Sequence, residues 1–289
     1  MRRFIYTFLL IVQTGIVVTG GAVRLTGSGL GCPTWPQCTG DSYKPVPHQA
    51  QGVLHSWIEF GNRLLTALII IAILGAAIGY IKWGRSRADK KILLWLIFGQ
   101  FLGIIAQIVV GGISVLTHLN PFAVGAHFLI SIFIIAATVS LRNRMLDKEQ
   151  ESIAPIALQL SRLILALSLV VITLGIFVTG SGPHAGDITA QRFGLDPRTI
   201  SWIHADAVIA MLGMSLGLWF LLREKHERAA SIFSAFLIIS LAQGFIGYTQ
   251  YFTKLPEILV GAHMLGACLV WIAIWNYSWT TSLLKRRNV

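Results

Sequence analysis

Eight stretches of the chain are apolar for long enough to cross a membrane: residues 4–23, 57–81, 92–116, 122–141, 157–180, 200–222, 230–251 and 258–281. A helix rising 1.5 Å per residue needs roughly 20 residues to cross about 30 Å of hydrocarbon. Open strands at that depth would leave backbone groups unpaired, so the pattern predicts helices. The polar segments between the stretches are of two kinds. Arg2 and Arg3, KWGRSRADKK (82–91), RNRMLDKEQES (142–152), REKHER (223–228) and KRRNV (285–289) together hold 16 Lys and Arg. Segments 24–56, 117–121, 181–199 and 252–257 hold only Arg24, Lys44, Arg192, Arg198 and Lys254. The positive-inside rule places the basic segments and both termini in the cytoplasm, and an even number of spans agrees. The expected fold class is an all-α membrane protein with eight transmembrane helices.

Composition supports this. Of the 289 residues, 55% are hydrophobic and 12% charged, about half the charged share of an average soluble domain. A net charge of +11 would raise nucleic acid as a partner for a soluble protein. Here the basic residues sit in short loops and set orientation, so the expected surroundings are the bilayer and no nucleic acid. The N-terminus MRRFIYTFLLIVQTGIVVTGG begins like a signal peptide but has no A-x-A-type cleavage site, and reads as a retained first span. The expected location is a bacterial cell membrane.

The chain also repeats itself. Residues 107–128 and 243–264 align without a gap and share Gln107/Gln243, Gly111/Gly247, Thr117/Thr253, Leu119/Leu255 and the string VGAH. LTGSG (25–29) echoes VTGSG (178–182). This predicts two pseudo-symmetric four-helix bundles, residues 1–145 and 146–289, inserted in the same orientation. The first and third outer loops are long and rich in turn residues, which is more often functional than decorative.

Three of the eight histidines, His127, His204 and His263, lie within spans, four to six residues from the outer ends and thus roughly 6–9 Å deep. Ionisable groups at that depth mark a functional site by default. The others, His48, His55, His118, His184 and His226, lie in or next to loops. Zinc would want three or four ligands including thiolate or carboxylate, and no such cluster is visible. Facing imidazoles in an apolar bundle suit heme iron. Helices six and eight would hold one heme through His204 and His263. By the repeat, helices two and four would form a second cage, with His127 as one ligand.

Helix two adds polar groups at the same end. His55, Glu59 and Asn62 share one helical face, with Arg63 beside them. A buried carboxylate next to a cation can be tuned as a proton acceptor. Equally, Glu59 and Arg63 can form a structural ion pair. Cys32 and Cys38, in CPTWPQC on the oxidising side, suit a disulfide or a thiol pair that exchanges with a redox partner. Cys268 reads as a small apolar filler. Trp35, Trp57, Trp83, Trp202 and Trp279 read as an interfacial belt, Trp35 alternatively as a cover for a heme edge.

In combination, VTGGAVRLTGSGLGCPTWPQC, IEFGNRLL, VGAHF, VTGSGPHAGD, IHAD and VGAHM resemble the heme A synthase family over essentially the full length. The resemblance implies an oxidoreductase that converts heme O to heme A by oxidising the C8 methyl to a formyl group. It implies heme b in the C-terminal half on His204 and His263, and heme O in the N-terminal half beside an essential Glu59. Expected partners are heme O, the synthase that makes it, cytochrome oxidase assembly factors and, as an open option, a second copy of the chain. One feature departs from the family. Many members carry Glu-x-x-His-Arg in helix two, whereas this chain has Glu59-Phe60-Gly61-Asn62-Arg63. Either His55 supplies the missing ligand or His127 holds the iron alone. The competing class is a diheme b-type electron-transfer protein, but its hemes would sit near both membrane surfaces, whereas every ligand here lies near one. A transporter is a third class.

Overall fold

The computed structural model describes residues 1–50 and 52–283. Lys285, Arg286 and Arg287, part of the charge expected in the cytoplasm, lie outside the described residues. The described chain holds eight helices, each long and apolar enough to cross a membrane: α1 (Arg2–Leu25), α2 (Val53–Trp83), α3 (Lys90–Leu116), α4 (Pro121–Met145), α5 (Pro155–Ser181), α6 (Pro197–Arg223), α7 (Glu227–Phe252) and α8 (Glu257–Thr280). The helices outrun the apolar stretches because the polar ends continue the backbone hydrogen bonding beyond the hydrocarbon. α2 starts four residues before its apolar stretch, so His55 lies in its first turn.

Local chemistry sets the boundaries. Proline opens α4, α5 and α6, where its fixed φ suits the first helical position and its missing N–H costs nothing. Asn120 Oδ1 caps α4 by accepting the Phe122 N–H at 3.0 Å. α3 and α7 end alike: His118 and Leu119 have φ of 50° and 60°, and Lys254 and Leu255 have 63° and 61°. Leu119 N–H bonds to Ser114 O at 2.7 Å, and Leu255 N–H to Gln250 O at 2.8 Å. Left-handed backbone is uncommon for such residues. That both helices use it at aligned positions, closed by the same six-to-one bond, carries the sequence repeat into the backbone.

The chain forms two compact units. The first comprises Met1–Met145 with Ile176–Pro197, so it includes the last turns of α5 and the segment leading to α6. In it α1 packs on α2 and α4, and α3 on α4 and α2. Tyr6, Leu9, Ile73, Leu93 and Leu141 are fully or almost fully buried there. Small residues let α1 and α2 approach closely. Tyr6 Oη donates to Ala76 O at 3.1 Å, and a Cβ at Gly79 would stand 2.8 Å from Tyr6 Oη. Deeper in the same unit Gln13, Gln100 and Thr138 join α1, α3 and α4: Gln13 Nε2 donates to Gln100 Oε1, and Thr138 Oγ1 to Gln13 Oε1, both at 2.6 Å.

The second unit comprises Leu146–Gly175 and the chain from Arg198 onward. α7 packs along α8, with Phe233, Phe236, Trp271 and Tyr277 buried. Ser161 and Tyr277 share a hydrogen bond of 3.0 Å between α5 and α8. The unit also holds a feature hydropathy did not predict: β1 (Glu151–Ile153) pairs in parallel with β2 (Thr281–Leu283). Three residues each, more than a hundred positions apart, leave no periodic signal.

Candidate functional site

The three intramembrane histidines lie about two turns into α4, α6 and α8, and each packs against a glycine of the preceding helix. A Cβ at Gly111 of α3 would stand 3.1 Å from His127 Cε1; at Gly175 of α5, 3.4 Å from His204 Cε1; at Gly247 of α7, 3.2 Å from His263 Cε1. Glycine suits these positions because the imidazole packed against the neighbouring helix occupies the space of a side chain. Two repeat-related glutamines fix the backbone beneath. Gln107 Nε2 donates to His127 O at 3.1 Å, and Gln243 Nε2 to His263 O at 2.5 Å. Gln107 also donates to Ser131 Oγ at 2.7 Å.

In the second unit the structure brings His204 and His263 together. Their ring centres are 6.5 Å apart and the planes are inclined by 70°. An imidazole nitrogen binds a transition metal at about 2.0–2.1 Å and lies about 1.1–1.2 Å from its ring centre, so two imidazoles on opposite sides of one metal stand roughly 6.2–6.6 Å apart. His204 Nδ1 lies 3.0 Å from Val171 O. A carbonyl only accepts, so Nδ1 carries the proton and Nε2 keeps its lone pair for a metal. His263 Nδ1 is buried. The donor set and its spacing fit a bis-imidazole heme.

The first unit has a different composition. His127 sits on Gly111 with its Nδ1 buried and, among the described residues, without a hydrogen-bond partner. Asn62 of α2 packs against Gly20 of α1, its Nδ2 3.7 Å from where a Cβ would be, and accepts a 2.7 Å hydrogen bond from Thr19 at Oδ1. His55 lies two turns nearer the start of α2, its Nδ1 2.9 Å from Ser28 Oγ in the α1–α2 loop.

Glu59 and Arg63 clamp that loop to α2. Cys32 and Cys38 are joined by a disulfide. Glu59 is 6% exposed and accepts the Cys32 N–H at 2.5 Å. Its other oxygen accepts from Arg63 Nη2 at 2.5 Å and Nε at 3.1 Å. Arg63 also donates to the carbonyls of Cys32 (2.9 Å), Thr34 (3.2 Å) and Gln37 (3.2 Å). The i, i+4 ion pair is therefore present, and it orients a carboxylate toward the loop that roofs this end of the unit. Trp35 of that loop lies on Gly112, the residue after the glycine that seats His127.

Two further cations at this end were not singled out by the sequence pattern. Arg24 donates to His184 O at 2.5 Å and Thr179 O at 2.8 Å. Arg192 donates to the carbonyls of Gly182, Pro183 and Ala190 at 2.8, 2.9 and 2.6 Å. The two guanidiniums lie within electrostatic reach of each other, and among the described residues neither meets a carboxylate. Hydropathy could not reveal this, since the pairing depends on how the 182–196 segment folds back. Of the remaining histidines, His226 contacts Glu151 at 3.4 Å beside β1, and His48 and His118 adopt left-handed turn conformations. Cys268 is buried as a free thiol.

Comparison with known proteins bears on this arrangement. A family model described as COX15-CtaA, cytochrome oxidase assembly protein, matches residues 3–275. A heme A synthase of Geobacillus kaustophilus (strain HTA426) is 38% identical over 132 residues, covering 45% of this chain and 38% of that protein. One of Lysinibacillus sphaericus (strain C3-41) is 32% identical over 130 residues, covering 44% and 37%. One of Rhodopseudomonas palustris (strain ATCC BAA-98 / CGA009) is 29% identical over 192 residues, covering 57% and 52%. The matches thus span about half or less of these curated relatives' length.

Proposed function

The chain belongs to the COX15-CtaA family of cytochrome oxidase assembly proteins, and on that premise we propose that it converts heme O to heme A in the membrane, as the names of its relatives suggest. The observation that carries the reading is the 6.5 Å imidazole pair of the second unit, set at the spacing a shared heme iron requires. The first half, residues 1–145, takes heme O, and the second, residues 146–289, holds heme b. His204 and His263 would hold heme b, which would supply one-electron redox chemistry there.

The chain's own residues do the rest. The Val171 carbonyl holds His204 in the tautomer that presents Nε2, and Gln243 fixes the backbone beneath His263. In the first unit His127 binds the substrate iron. Glu59, held by Arg63 and the Cys32 N–H, removes protons or balances positive charge as the C8 methyl is oxidised. The disulfide loop with Trp35 covers the site against water. Arg24 and Arg192 supply uncompensated positive charge for a substrate that carries two carboxylates. The basic segments set both termini in the cytoplasm and the site near the opposite surface. The synthase that makes heme O supplies the substrate, and cytochrome oxidase assembly factors receive the product. A membrane electron-transfer protein is the weaker reading, because the relatives are heme A synthases.

The test is expression in a host that makes heme O but no heme A, followed by acid–acetone extraction and chromatography of total heme. Heme A appearing with the wild-type chain, and heme O accumulating with Glu59→Ala while heme b persists, is the expected result. No heme A from the wild-type chain overturns the proposal.

A further inference from the structure

Each of the four even-numbered helices presents one polar side chain to a glycine of the helix before it. On α4, α6 and α8 that side chain is an imidazole; on α2 it is the carboxamide of Asn62. Among the described residues of the first unit, His127 is the histidine seated in this way. His55 is tied to Ser28 in the first turn of α2, seven residues and thus about 10 Å along the helix from Asn62. The Asn62 amide is also oriented. The Thr19 hydroxyl lies 2.7 Å from Oδ1 and 3.2 Å from Ile16 O, so its single proton is committed to Asn62. Oδ1 is therefore engaged as an acceptor, and among the described residues the Nδ2 hydrogens are the end left to donate.

We propose that the iron of the substrate heme in the first unit has one protein ligand, His127, and that Asn62 donates a hydrogen bond to a small exogenous ligand at the open axial face. This rests on the reading of the first unit as the heme O site. The ligand class is a small molecule with a lone pair for iron and an acceptor atom for the amide, for which carbon monoxide is a suitable probe. The two units then differ in kind. In the second, His204 and His263 would both be taken up in holding the heme, leaving no protein-free face for an external molecule. The first binds its heme through one imidazole, which also suits a heme that must enter and leave. Asn62 acts here as a positioning residue, held by Thr19.

The experiment loads the full-length protein with heme O in detergent, counts hemes by extraction, reduces the sample and adds carbon monoxide. Wild type is expected to carry two hemes and bind carbon monoxide at one. Asn62→His should abolish that binding and turn the high-spin signal low-spin, by supplying the missing imidazole. Asn62→Leu should keep carbon monoxide binding but shift the C–O stretch upward, through loss of the amide donor, and Thr19→Val should shift it in the same direction. His55→Ala should leave binding unchanged. A two-heme wild-type protein that refuses carbon monoxide overturns the inference alone, as does His55→Ala creating the binding or an unshifted stretch in Asn62→Leu. A protein that takes up only the heme held by His204 and His263 overturns the substrate-site reading, and the inference with it.

Discussion

Replacing Glu59 by glutamine separates the two roles open to this carboxylate. The carboxylate accepts from the Cys32 N–H at 2.5 Å and from Arg63 at 2.5 and 3.1 Å. Glutamine keeps the shape but has one acceptor oxygen. Whichever way the amide turns, its NH2 faces an N–H donor, either Cys32 or the guanidinium. One charge-assisted bond is lost, worth about 1.5–3 kcal/mol. Arg63 is not stranded, because three loop carbonyls still accept from it. Glu59→Ala is harsher: it breaks a buried pair outright, at about 3–5 kcal/mol. A purely structural Glu59 therefore predicts that Glu59→Gln lowers folded protein modestly and heme A only in proportion. A chemical role predicts heme A below detection per folded molecule, with heme b retained, since His204 and His263 belong to the other unit. The assay is extracted heme A divided by heme b, alongside thermal unfolding of the purified protein. Heme A per heme b at the wild-type value in Glu59→Gln would refute the chemical role.

Three other outcomes are expected. Replacing Cys32 and Cys38 together by serine opens a seven-residue loop; the loop-closure relation gives about 2.4 kcal/mol, so the variant should unfold at a lower temperature, and an unchanged midpoint would show that Glu59 and Arg63 hold the loop without the bond. Gly247→Val should lose heme b, because even a Cβ would stand 3.2 Å from His263 Cε1, whereas Gly247→Ala should retain part of it; pyridine hemochrome spectra measure both, and full heme in the valine variant would contradict the role given to this seat. Arg24→Gln with Arg192→Gln should weaken heme O retention roughly ten- to a hundredfold, the value of one charge-assisted bond, without changing heme b content; equal retention would show that these cations serve only the loop carbonyls.

Much of this was legible in the sequence, for identifiable reasons. Uninterrupted apolar stretches fixed the eight helices to within a few residues, because spanning length is imposed by the bilayer. The gapless repeat of 107–128 and 243–264 reappears as matched left-handed helix ends and matched glutamine clamps. CPTWPQC pointed to the disulfide that the structure contains. The glycine seats were not legible, since a glycine's purpose depends on what packs against it from another helix. Nor was the Arg24 and Arg192 arrangement, which exists only once the 182–196 segment folds back. The β1–β2 pair escaped notice because three residues carry too little pattern.

The proposed function stands on one iron held between the imidazoles of α6 and α8. Electron paramagnetic resonance of the oxidised protein, compared with His204→Ala and His263→Ala, tests it most directly. Wild type should show a low-spin bis-imidazole heme signal that disappears in each variant. The same low-spin signal persisting in both variants would contradict it.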